Sequence, residues 1–241
     1  MTRCGHCPNT AKCSSSDNCM YNTLLELPLF QGLSRDDLTR ILESTHLRFE
    51  TLPEGATLFR QDDPCTGLTF VIEGRLCQNT QSADHTWSVD EELGARTLIG
   101  LNVLYGNART YRHAYTALCP TRLLQIDKRT AGALTAYFEV FRLNVLNHLT
   151  TQAIRRTQAQ WLPAPASLQG RLIRFMRQYV ERPAGPKVFH ISQQQLGGYL
   201  GEDYRYIGRT LQQMARAGLI VKGHRAISVP FFENIIKHES D

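Results

Sequence analysis

The sequence lacks the features of membrane-spanning and secreted proteins. None of its apolar runs reaches the roughly 18 residues that a membrane-spanning helix requires. The start of the chain has no apolar segment of the kind found in secretory signals. We therefore expect a cytoplasmic protein with no membrane partner. Hydrophobic residues form 42% of the 241 residues and charged residues 20%, which is typical of a globular protein and excludes a largely disordered one.

Motifs of common enzyme classes are also missing. The chain contains no G-x-S-x-G nucleophile motif, no phosphate-binding P-loop and no H-E-x-x-H zinc motif. Cysteine and histidine residues that are distant in sequence can still meet as a catalytic pair, but no local pattern supports one. We therefore expect no catalytic residues and no enzyme activity.

Acidic residues are scarce in residues 155–225, which contain twelve Lys or Arg residues and only three acids. This segment has a net charge of +9, whereas the whole chain has +5, so the remainder is mildly acidic at −4. A basic region on an acidic body is typical of a protein that binds a polyanion such as nucleic acid. A solvated, arginine-rich surface is the alternative interpretation.

Cysteine is absent after residue 119, and four of the seven cysteines lie within the first nineteen residues. In a reducing cytosol, such crowding favours metal binding over disulfide bonds. Residues 1–20 are otherwise polar and without periodicity, so we treat them as a separate Cys-rich segment that cannot form a core alone.

The rest of the chain divides into three regions of different periodicity. Residues 21–127 begin with two short helical patterns, over residues 23–30 and 34–44, and Ser34 with Asp37 fits an N-cap of the second. They continue as short β-type stretches separated by Pro, Gly, Asp and Asn, which predicts a β barrel or jelly roll. Residues 128–162 show helical spacing without an internal proline, and a continuous helix of this length is a rod of roughly 50 Å. Residues 163–236 begin with a proline-rich break, which predicts a hinge, and contain several shorter elements.

The predicted long helix has two rows of apolar residues. A surface helix that covers a single domain needs only one apolar face. We therefore expect one row to pack on the β domain and the other on a second copy of the chain, as a homodimer. A helix buried within one chain is the alternative. One row contains Leu134, Phe138, Phe141, Val145 and Leu149, and the second contains Tyr137, Val140, Leu143 and Leu146.

A helix-turn-helix pattern lies between Ser192 and Gly218. Ser192 is a suitable N-cap for a short helix, Gly201 allows a sharp turn, and a second helix ends at Gly218. In this motif the second helix enters the major groove of DNA. The next segment predicts a tight hairpin at Lys222–His224, which makes the motif winged.

Side chains on the outer face of the second helix are the candidate base contacts. If Ile207, Leu211 and Met214 face the core, Arg205 and Arg209 project together on the opposite side. Arginine is suited to bidentate contact with guanine, while a helix N-terminus and basic wing residues suit phosphate. The predicted DNA-binding residues are Ser192, Gln193, Tyr204, Arg205, Tyr206, Arg209, Lys222 and Arg225.

The order of β roll, long helix and winged helix-turn-helix resembles that of the catabolite-activator/fumarate-nitrate-reduction (CRP/FNR) family of bacterial transcription regulators. The likeness covers roughly residues 21–230, and Gly55, Phe59, Asp62 and Gly74 match the roll pattern of that family. It implies an α+β fold with an N-terminal cyclic-nucleotide-binding-like β jelly roll, a long dimerisation helix and a C-terminal winged helix-turn-helix. It also implies a homodimer on an inverted-repeat operator of double-stranded DNA, with RNA polymerase as a partner.

Cyclic-nucleotide binders of this family carry Gly-Glu, followed further along the chain by Arg-Ser/Thr, for the ribose and the cyclic phosphate. Here Gly100 matches, but Leu101 replaces the acid, and the arginine position falls on or next to Tyr111. Arg109 and Arg112 lie nearby. We therefore do not expect cAMP to be the effector.

The N-terminal cysteines resemble the oxygen-sensing branch of the family. In that branch, three cysteines with the spacing of Cys4, Cys7 and Cys13 hold a [4Fe–4S] cluster together with a fourth ligand from the β roll. Cys119 is the nearest match to that fourth ligand, although it aligns several residues early. The other candidates for this position are Cys19, Cys65 and Cys77. A local set of Cys4, Cys7, Cys13 and Cys19 suits zinc equally.

We therefore expect a DNA-binding regulator controlled by a signal in its N-terminal half, with oxygen or redox state sensed through an iron–sulfur cluster. The alternatives are haem-bound nitric oxide or carbon monoxide, or a small molecule in the β roll, with the cysteines binding zinc or no metal. An effector would change how the roll packs on the long helix. It would thereby change the spacing of two recognition helices, which must lie about 34–36 Å apart.

Overall fold

The structure is a computed structural model that describes residues 16–107, 109–161 and 163–239. Its first part contains two helices followed by short strands, as the sequence predicts. The helices are α1 (Ser16–Leu25) and α2 (Arg35–Ser44). The strands are β1 (Arg48–Leu52), β2 (Thr57–Phe59), β3 (Gly67–Glu73), β4 (Leu76–Gln81), β5 (Ser88–Leu93), β6 (Leu98–Ile99), β7 (Ala114–Ala117) and β8 (Thr121–Asp127), with a single helical turn, α3 (Leu101–Leu104), between β6 and β7.

Local capping signals account for the start of α2. Ser34 Oγ accepts a hydrogen bond from the backbone N of Asp37 at 3.1 Å, which confirms the predicted N-cap. The helical pattern predicted for residues 23–30 is wrong beyond Leu25, because turns follow α1 there. The apolar side chains of that segment are buried against the strands, so tertiary packing fixes its path. α1 also runs across the predicted segment boundary at residue 20.

The strands form two antiparallel sheets around an apolar core. One sheet has the strand order β1-β8-β3-β6, and the second contains β5-β4-β7-β2. Phe30, Phe70 and Phe141 are fully buried between the sheets and the helices. Their rings meet edge to face, with centroids 5.6 Å apart for Phe30 and Phe70 and 5.4 Å apart for Phe30 and Phe141. This cluster joins the segment before α2, strand β3 and the helix that follows the roll.

The continuous helix predicted from residue 128 to about residue 160 is wrong. It is divided into α4 (Lys128–Tyr137) and α5 (Glu139–Gln160) by Phe138, whose backbone is extended. No proline causes this break. α4 packs against β3 and β8, while α5 places Phe141 and Val145 in the same core. The change of direction at Phe138 allows both helices to bury their apolar sides, so tertiary packing overrides the helical pattern.

Residues 168–239, here called the C-terminal unit, form a second core. Its elements are α6 (Leu168–Gln178), β9 (Lys187–His190), α7 (Gln193–Leu200), α8 (Tyr204–Arg216), β10 (Val221–Lys222), β11 (Ile227–Val229) and α9 (Phe232–Ile236). Ser167 Oγ accepts a hydrogen bond from the backbone N of Gly170 and caps α6. No helix among the described residues combines the length and apolar character needed to cross a membrane.

The two cores are joined by a shared sheet. β9 pairs antiparallel with β5, so the second sheet has seven strands in the order β10-β11-β9-β5-β4-β7-β2. Trp87, directly before β5, and Val89, within β5, are buried in the core of the C-terminal unit. The sequence predicts a hinge at the proline-rich break, and it did not predict this direct pairing between the two units.

Candidate nucleic-acid interface

Helix α8 presents a polar face because its apolar residues occupy one side. Ile207, Leu211 and Met214 are buried in the core of the C-terminal unit, as the sequence predicts. They recur every three or four residues, so the residues between them lie on the exposed side. Tyr204 and Tyr206 on that side are 53% and 57% exposed. Two aromatic side chains at the start of the helix are therefore available to a ligand.

Two arginines on this face have different surroundings. Asp203 caps α8 by accepting a hydrogen bond from the backbone N of Arg205 at 2.8 Å. The same carboxylate accepts hydrogen bonds from Arg205 Nε at 3.0 Å and Nη2 at 3.1 Å, and these bonds hold the pKa of Asp203 below its ordinary value. Arg209 instead lies over the ring of Tyr206, with Cζ 5.6 Å from the ring centroid. The guanidinium of Arg209 thus rests on an aromatic ring, whereas that of Arg205 is paired with a carboxylate.

The start of α7 is held by a capping box. Ser192 Oγ accepts a hydrogen bond from the backbone N of Gln195 at 3.2 Å, and the backbone N of Ser192 donates to Gln195 Oε1 at 2.9 Å. Gln193, the first residue of α7, packs against the start of α8. A Cβ added at Gly208 would lie only 2.5 Å from Gln193 Oε1. Glycine at this position therefore allows the amide of Gln193 to approach α8 closely.

The hairpin after α8 places basic residues beside α7. β10 and β11 pair antiparallel, and the backbone N of Gly223 donates to Ala226 O at 2.8 Å to close the turn. A groove of about 160 Å³ lies between the hairpin and α7. Its lining includes Ser192, Gln193, Lys222 and Arg225. The predicted residues thus form two adjacent sets, one around this groove and one on the exposed face of α8.

The two apolar rows of α4 and α5 have different surroundings. Leu134, Phe141 and Val145 of the first predicted row are buried in the core of the roll, but Leu149 of that row is 36% exposed. Val140 of the second row packs against the core, so the two rows are not separated as predicted. From the second row, Leu143 is 48% exposed and Leu146 53% exposed. Tyr137 is also exposed, and Ile154 continues this surface toward the end of α5. The isolated chain therefore leaves one apolar face of α5 in contact with water.

The roll interior near α3 is filled by the protein's own side chains. Tyr111 is almost fully buried and stacks on Phe59, with ring centroids 4.1 Å apart. Burial, reinforced by a hydrogen bond with Cys65, raises the pKa of Tyr111 far above its ordinary value. Leu101 is also buried, whereas Arg109 and Arg112 point to the surface.

These residues do not fit a cyclic nucleotide. A ribose hydroxyl needs a polar acceptor, but the position after Gly100 is aliphatic. A cyclic phosphate needs an inward-facing cation or donor, but an aromatic side chain occupies the interior there. Glycine is required at position 100 because an added Cβ would lie 2.7 Å from the backbone O of Gly67 in β3.

Most of the proposed metal ligands lie outside the described residues, namely Cys4, Cys7 and Cys13. Cys19 lies in α1. Cys119 lies between β7 and β8 and is partly exposed. Its thiol is next to the guanidinium of Arg75, whose Nη1 also donates a hydrogen bond to Glu92 Oε1 at 3.1 Å. Within residues 16–107, 109–161 and 163–239, no three His, Cys, Asp or Glu side chains are grouped to hold a metal ion.

Burial raises the pKa of Cys77 to about 11, with nearby Asp90 adding to the shift, so this thiol remains protonated.

Three contacts near the interface were not predicted from the sequence. The capping role of Asp203 has a local signal, because aspartate directly before a helix is a common N-cap. The close approach at Gly208 has no local signal, since it depends on how α7 crosses α8. The contacts of Trp87 with α7 are non-local as well, because they join residues that are far apart in sequence.

Comparisons with known proteins agree with this fold. Residues 49–136 match the family model of the cyclic nucleotide-binding domain. No curated protein matches the chain. A putative transcriptional regulator of the CRP/FNR family from Eubacterium rectale is 16% identical, with a TM-score of 0.50 over 90% of this chain and 99% of its own. The sensor domain of the transcriptional regulator DNR from Pseudomonas aeruginosa is 20% identical, with a TM-score of 0.50 over 63% of this chain and 97% of its own.

Identities this low establish a shared fold and leave the ligand and the target open. The family model covers β1 to α4, which is the part of the chain that encloses Phe59 and Tyr111. Residues 49–136 are therefore similar to the cyclic nucleotide-binding domain, and the chain shares the fold of these two regulators.

Proposed function

We propose that the chain is a sequence-specific, DNA-binding transcription regulator without enzyme activity, and that its C-terminal unit is a winged helix-turn-helix. The observation that carries this proposal is the exposed face of α8, where Tyr204, Arg205, Tyr206 and Arg209 lie together on a helix whose other side is fully packed. The net charge of +9 over residues 155–225 favours a polyanion.

In this role α8 lies in the major groove. Arg209 contacts a base edge, and Arg205 joins it after exchanging Asp203 for a phosphate or a base. The groove between α7 and the hairpin faces the DNA backbone, where Gln193, Lys222 and Arg225 contact phosphates. Ser192 contributes through the N-terminus of α7, because its hydroxyl is already used in the capping box.

We propose that the regulator is a cytoplasmic homodimer that binds an inverted repeat. The exposed apolar face of α5 supports this assembly, since burial of Leu143, Leu146 and Ile154 against a second copy removes them from water. Two copies related by a two-fold axis present two α8 helices to one side of the duplex, and a two-fold symmetric site follows from that geometry. RNA polymerase is the expected partner at the promoter.

We propose that the N-terminal half is the sensor and that its signal is oxygen or redox state. The spacing of Cys4, Cys7 and Cys13 supports a cluster of the [4Fe–4S] type, with Cys119 or Cys19 as the fourth ligand. Such a cluster supplies a response to oxidation that zinc does not. A small effector within the roll, haem-bound nitric oxide or carbon monoxide, and zinc at the cysteines are the alternatives.

Selection of DNA from a random duplex library by the full-length protein tests the DNA-binding proposal. We expect enrichment of an inverted repeat and a footprint on one face of the duplex. Enrichment of no sequence, or only of single half-sites, would contradict sequence-specific binding by a dimer.

Anaerobic purification, followed by iron, sulfide and zinc analysis and a visible spectrum, tests the sensor proposal. We expect iron and sulfide in equal amounts and a brown colour that air bleaches, together with a change in operator affinity. Stoichiometric zinc without colour would reject the cluster, and a Soret band after haem reconstitution would favour a haem sensor.

A further inference from the structure

The sensor half and the C-terminal unit are joined by a strand ladder. β5, from the roll, pairs with β9 in the register Ser88↔His190, Val89↔Phe189, Asp90↔Val188 and Glu91↔Lys187. We call these four pairs the interdomain ladder. Because side chains alternate along a strand, a slip of one residue would reverse the faces of every side chain in it. The ladder therefore fixes one orientation of the C-terminal unit.

Glu91 is the most constrained residue of the ladder. Its side chain and that of Lys187 are both fully buried, and Lys187 Nζ lies 3.4 Å from Glu91 Oε2. The carboxylate also accepts hydrogen bonds from the backbone N of Glu181 at 2.9 Å and of Arg182 at 3.2 Å. These three donors belong to the C-terminal unit, where they lie between α6 and β9 or at the start of β9. A buried carboxylate needs all its partners in place, so Glu91 favours this one arrangement over similar ones.

The hairpin between β4 and β5 adds contacts to the first helix of the DNA-binding motif. Trp87 is buried in the core of the C-terminal unit, and its Nε1 donates to the Tyr199 hydroxyl of α7 at 3.0 Å. Gln195 Nε2, also in α7, donates to the backbone O of Thr86 at 3.1 Å. The position of α7, and hence of α8 packed on it, is therefore set by a hairpin of the sensor half.

The ladder does not cover the proposed DNA-binding face. Tyr204, Arg205, Tyr206 and Arg209 remain exposed while the ladder is formed. Apart from a short connection rich in proline and alanine, α5 reaches the C-terminal unit through the partly exposed pair of Arg156 and Glu181, 3.2 Å apart. An exposed ion pair constrains the position of α8 less than the buried ladder does. A unit held in one orientation loses less conformational freedom when it binds two half-sites.

We infer that the interdomain ladder is the regulatory contact of this protein. Its formation holds the two α8 helices of a dimer at the spacing of a two-half-site operator, and a signal in the sensor half acts by forming or breaking it. This inference rests on the proposed function, because it assigns the control of that same DNA-binding face.

Glu91→Gln tests the inference in the full-length protein, with Glu92→Gln as the matched control. Glu92 is the next residue of β5, but it binds the exposed Arg75 of its own half. Hydrogen–deuterium exchange reports the ladder without any DNA. Binding to duplexes selected by the wild type, with either two half-sites or one, reports the function. A Glu91→Gln/Lys187→Met variant replaces the buried ion pair with a neutral pair of similar shape. Its thermal unfolding shows whether the fold survives without the two charges.

We expect Glu91→Gln to speed exchange of the β9 amides at least tenfold and to weaken binding to two half-sites at least tenfold. Binding to a single half-site should change less than twofold, and Glu92→Gln should behave as wild type. Faster exchange with unchanged or tighter binding to two half-sites would overturn the inference, and so would unchanged exchange in β9. If the wild type selects no DNA, the proposed function fails, while the exchange result still shows whether Glu91 holds the ladder.

A disulfide across the ladder provides a second test should Glu91→Gln not fold. Ser88 and His190 are directly paired, and paired residues of antiparallel strands lie within the Cα separation that a disulfide allows. We expect the oxidised Ser88→Cys/His190→Cys variant to keep its affinity for two half-sites and to lose its response to the signal. The wild type, oxidised and reduced in parallel, is the control for the response of the sensor itself. Binding tenfold weaker than that of the equally oxidised wild type, restored by reduction, would show that the ladder belongs to the non-binding state and would overturn the inference.

Discussion

Replacement of Arg209 by alanine should lower operator affinity more than replacement of Arg205. The guanidinium of Arg209 lies over Tyr206 on the exposed face of α8. A bidentate contact from such an arginine to guanine contributes about 1–3 kcal/mol to specific binding. This corresponds to about 5- to 150-fold in the dissociation constant. Loss of the side chain should therefore be visible in any titration of the operator.

Arg205 should contribute less because the folded protein already gives it a partner. Its guanidinium makes two hydrogen bonds with Asp203, and DNA must replace both before any net gain appears. Asp203→Asn removes this competitor and also removes a negative charge from the surface that faces DNA. We expect Asp203→Asn to raise affinity for all duplexes and to make binding more sensitive to salt, because Arg205 can then contact a phosphate.

Fluorescence anisotropy with the selected operator and a scrambled duplex, repeated over a range of salt concentrations, measures these effects. Arg209→Ala should weaken binding to the operator while changing binding to the scrambled duplex little. Lys222→Gln is the matched control, since a phosphate contact should weaken both duplexes equally and reduce the salt slope by about 0.9. Equal losses on both duplexes for Arg209→Ala, or a larger loss for Arg205→Ala, would refute the assignment.

Packing and charge lead to four further predictions. Leu146→Lys should convert the dimer to a monomer in sedimentation experiments. Arg155→Glu, an exposed position on the side of α5 opposite Leu146, should leave the dimer intact. A dimeric Leu146→Lys would contradict the proposed interface. Gly197→Ala should destabilise the protein by about 1–3 kcal/mol, because the new Cβ would lie 2.5 Å from the backbone O of Glu202. Gly208→Ala should leave thermal stability unchanged or higher while weakening DNA binding, because the new methyl group meets only the flexible side-chain amide of Gln193. A large loss of thermal stability would show that this amide cannot move away. Burial opposes the charged form of Glu239, but hydrogen bonds from Arg177 and Arg174 outweigh it and hold the pKa of this carboxyl below its ordinary value. The stability that the ionised group contributes is therefore present near neutral pH and is lost as the pH falls through that lowered pKa. The free energy of unfolding of Glu239→Gln should therefore fall less steeply with decreasing pH in the acid range than that of wild type. An equal pH dependence in both proteins would contradict a stabilising role of the Glu239 carboxylate.

The sequence contained enough information to predict elements that depend on local signals. The alternation of short β-type stretches and turn residues predicted the eight strands of the roll. Ser192 and Gln195 form the capping box of α7, and Gly201 adopts a left-handed backbone conformation after it. Each of these features depends on residues close together in sequence, so composition and spacing were sufficient to place the two helices and the turn between them.

The break at Phe138 and the pairing of Arg205 could not be predicted in the same way. Residues 128–160 have helical spacing throughout and no proline. The helix is interrupted only because the segments on either side pack on different parts of the roll. Arg205 and Arg209 are equivalent by periodicity, yet Asp203 distinguishes them through its capping position. Such differences arise from three-dimensional contacts that a spacing rule does not contain.

The contact between the hairpin and α7 explains why the proline-rich connection need not act as a free hinge. Separation of the C-terminal unit would expose Trp87, whose burial contributes on the order of 4–6 kcal/mol from its apolar area. It would also break the pairs of β5 with β9 and expose the partners of Glu91. These losses occur together, because one strand and one turn carry all of them. The change between the joined and separated states should therefore be all-or-none, which allows a small shift in the roll to produce a discrete change in the position of α8.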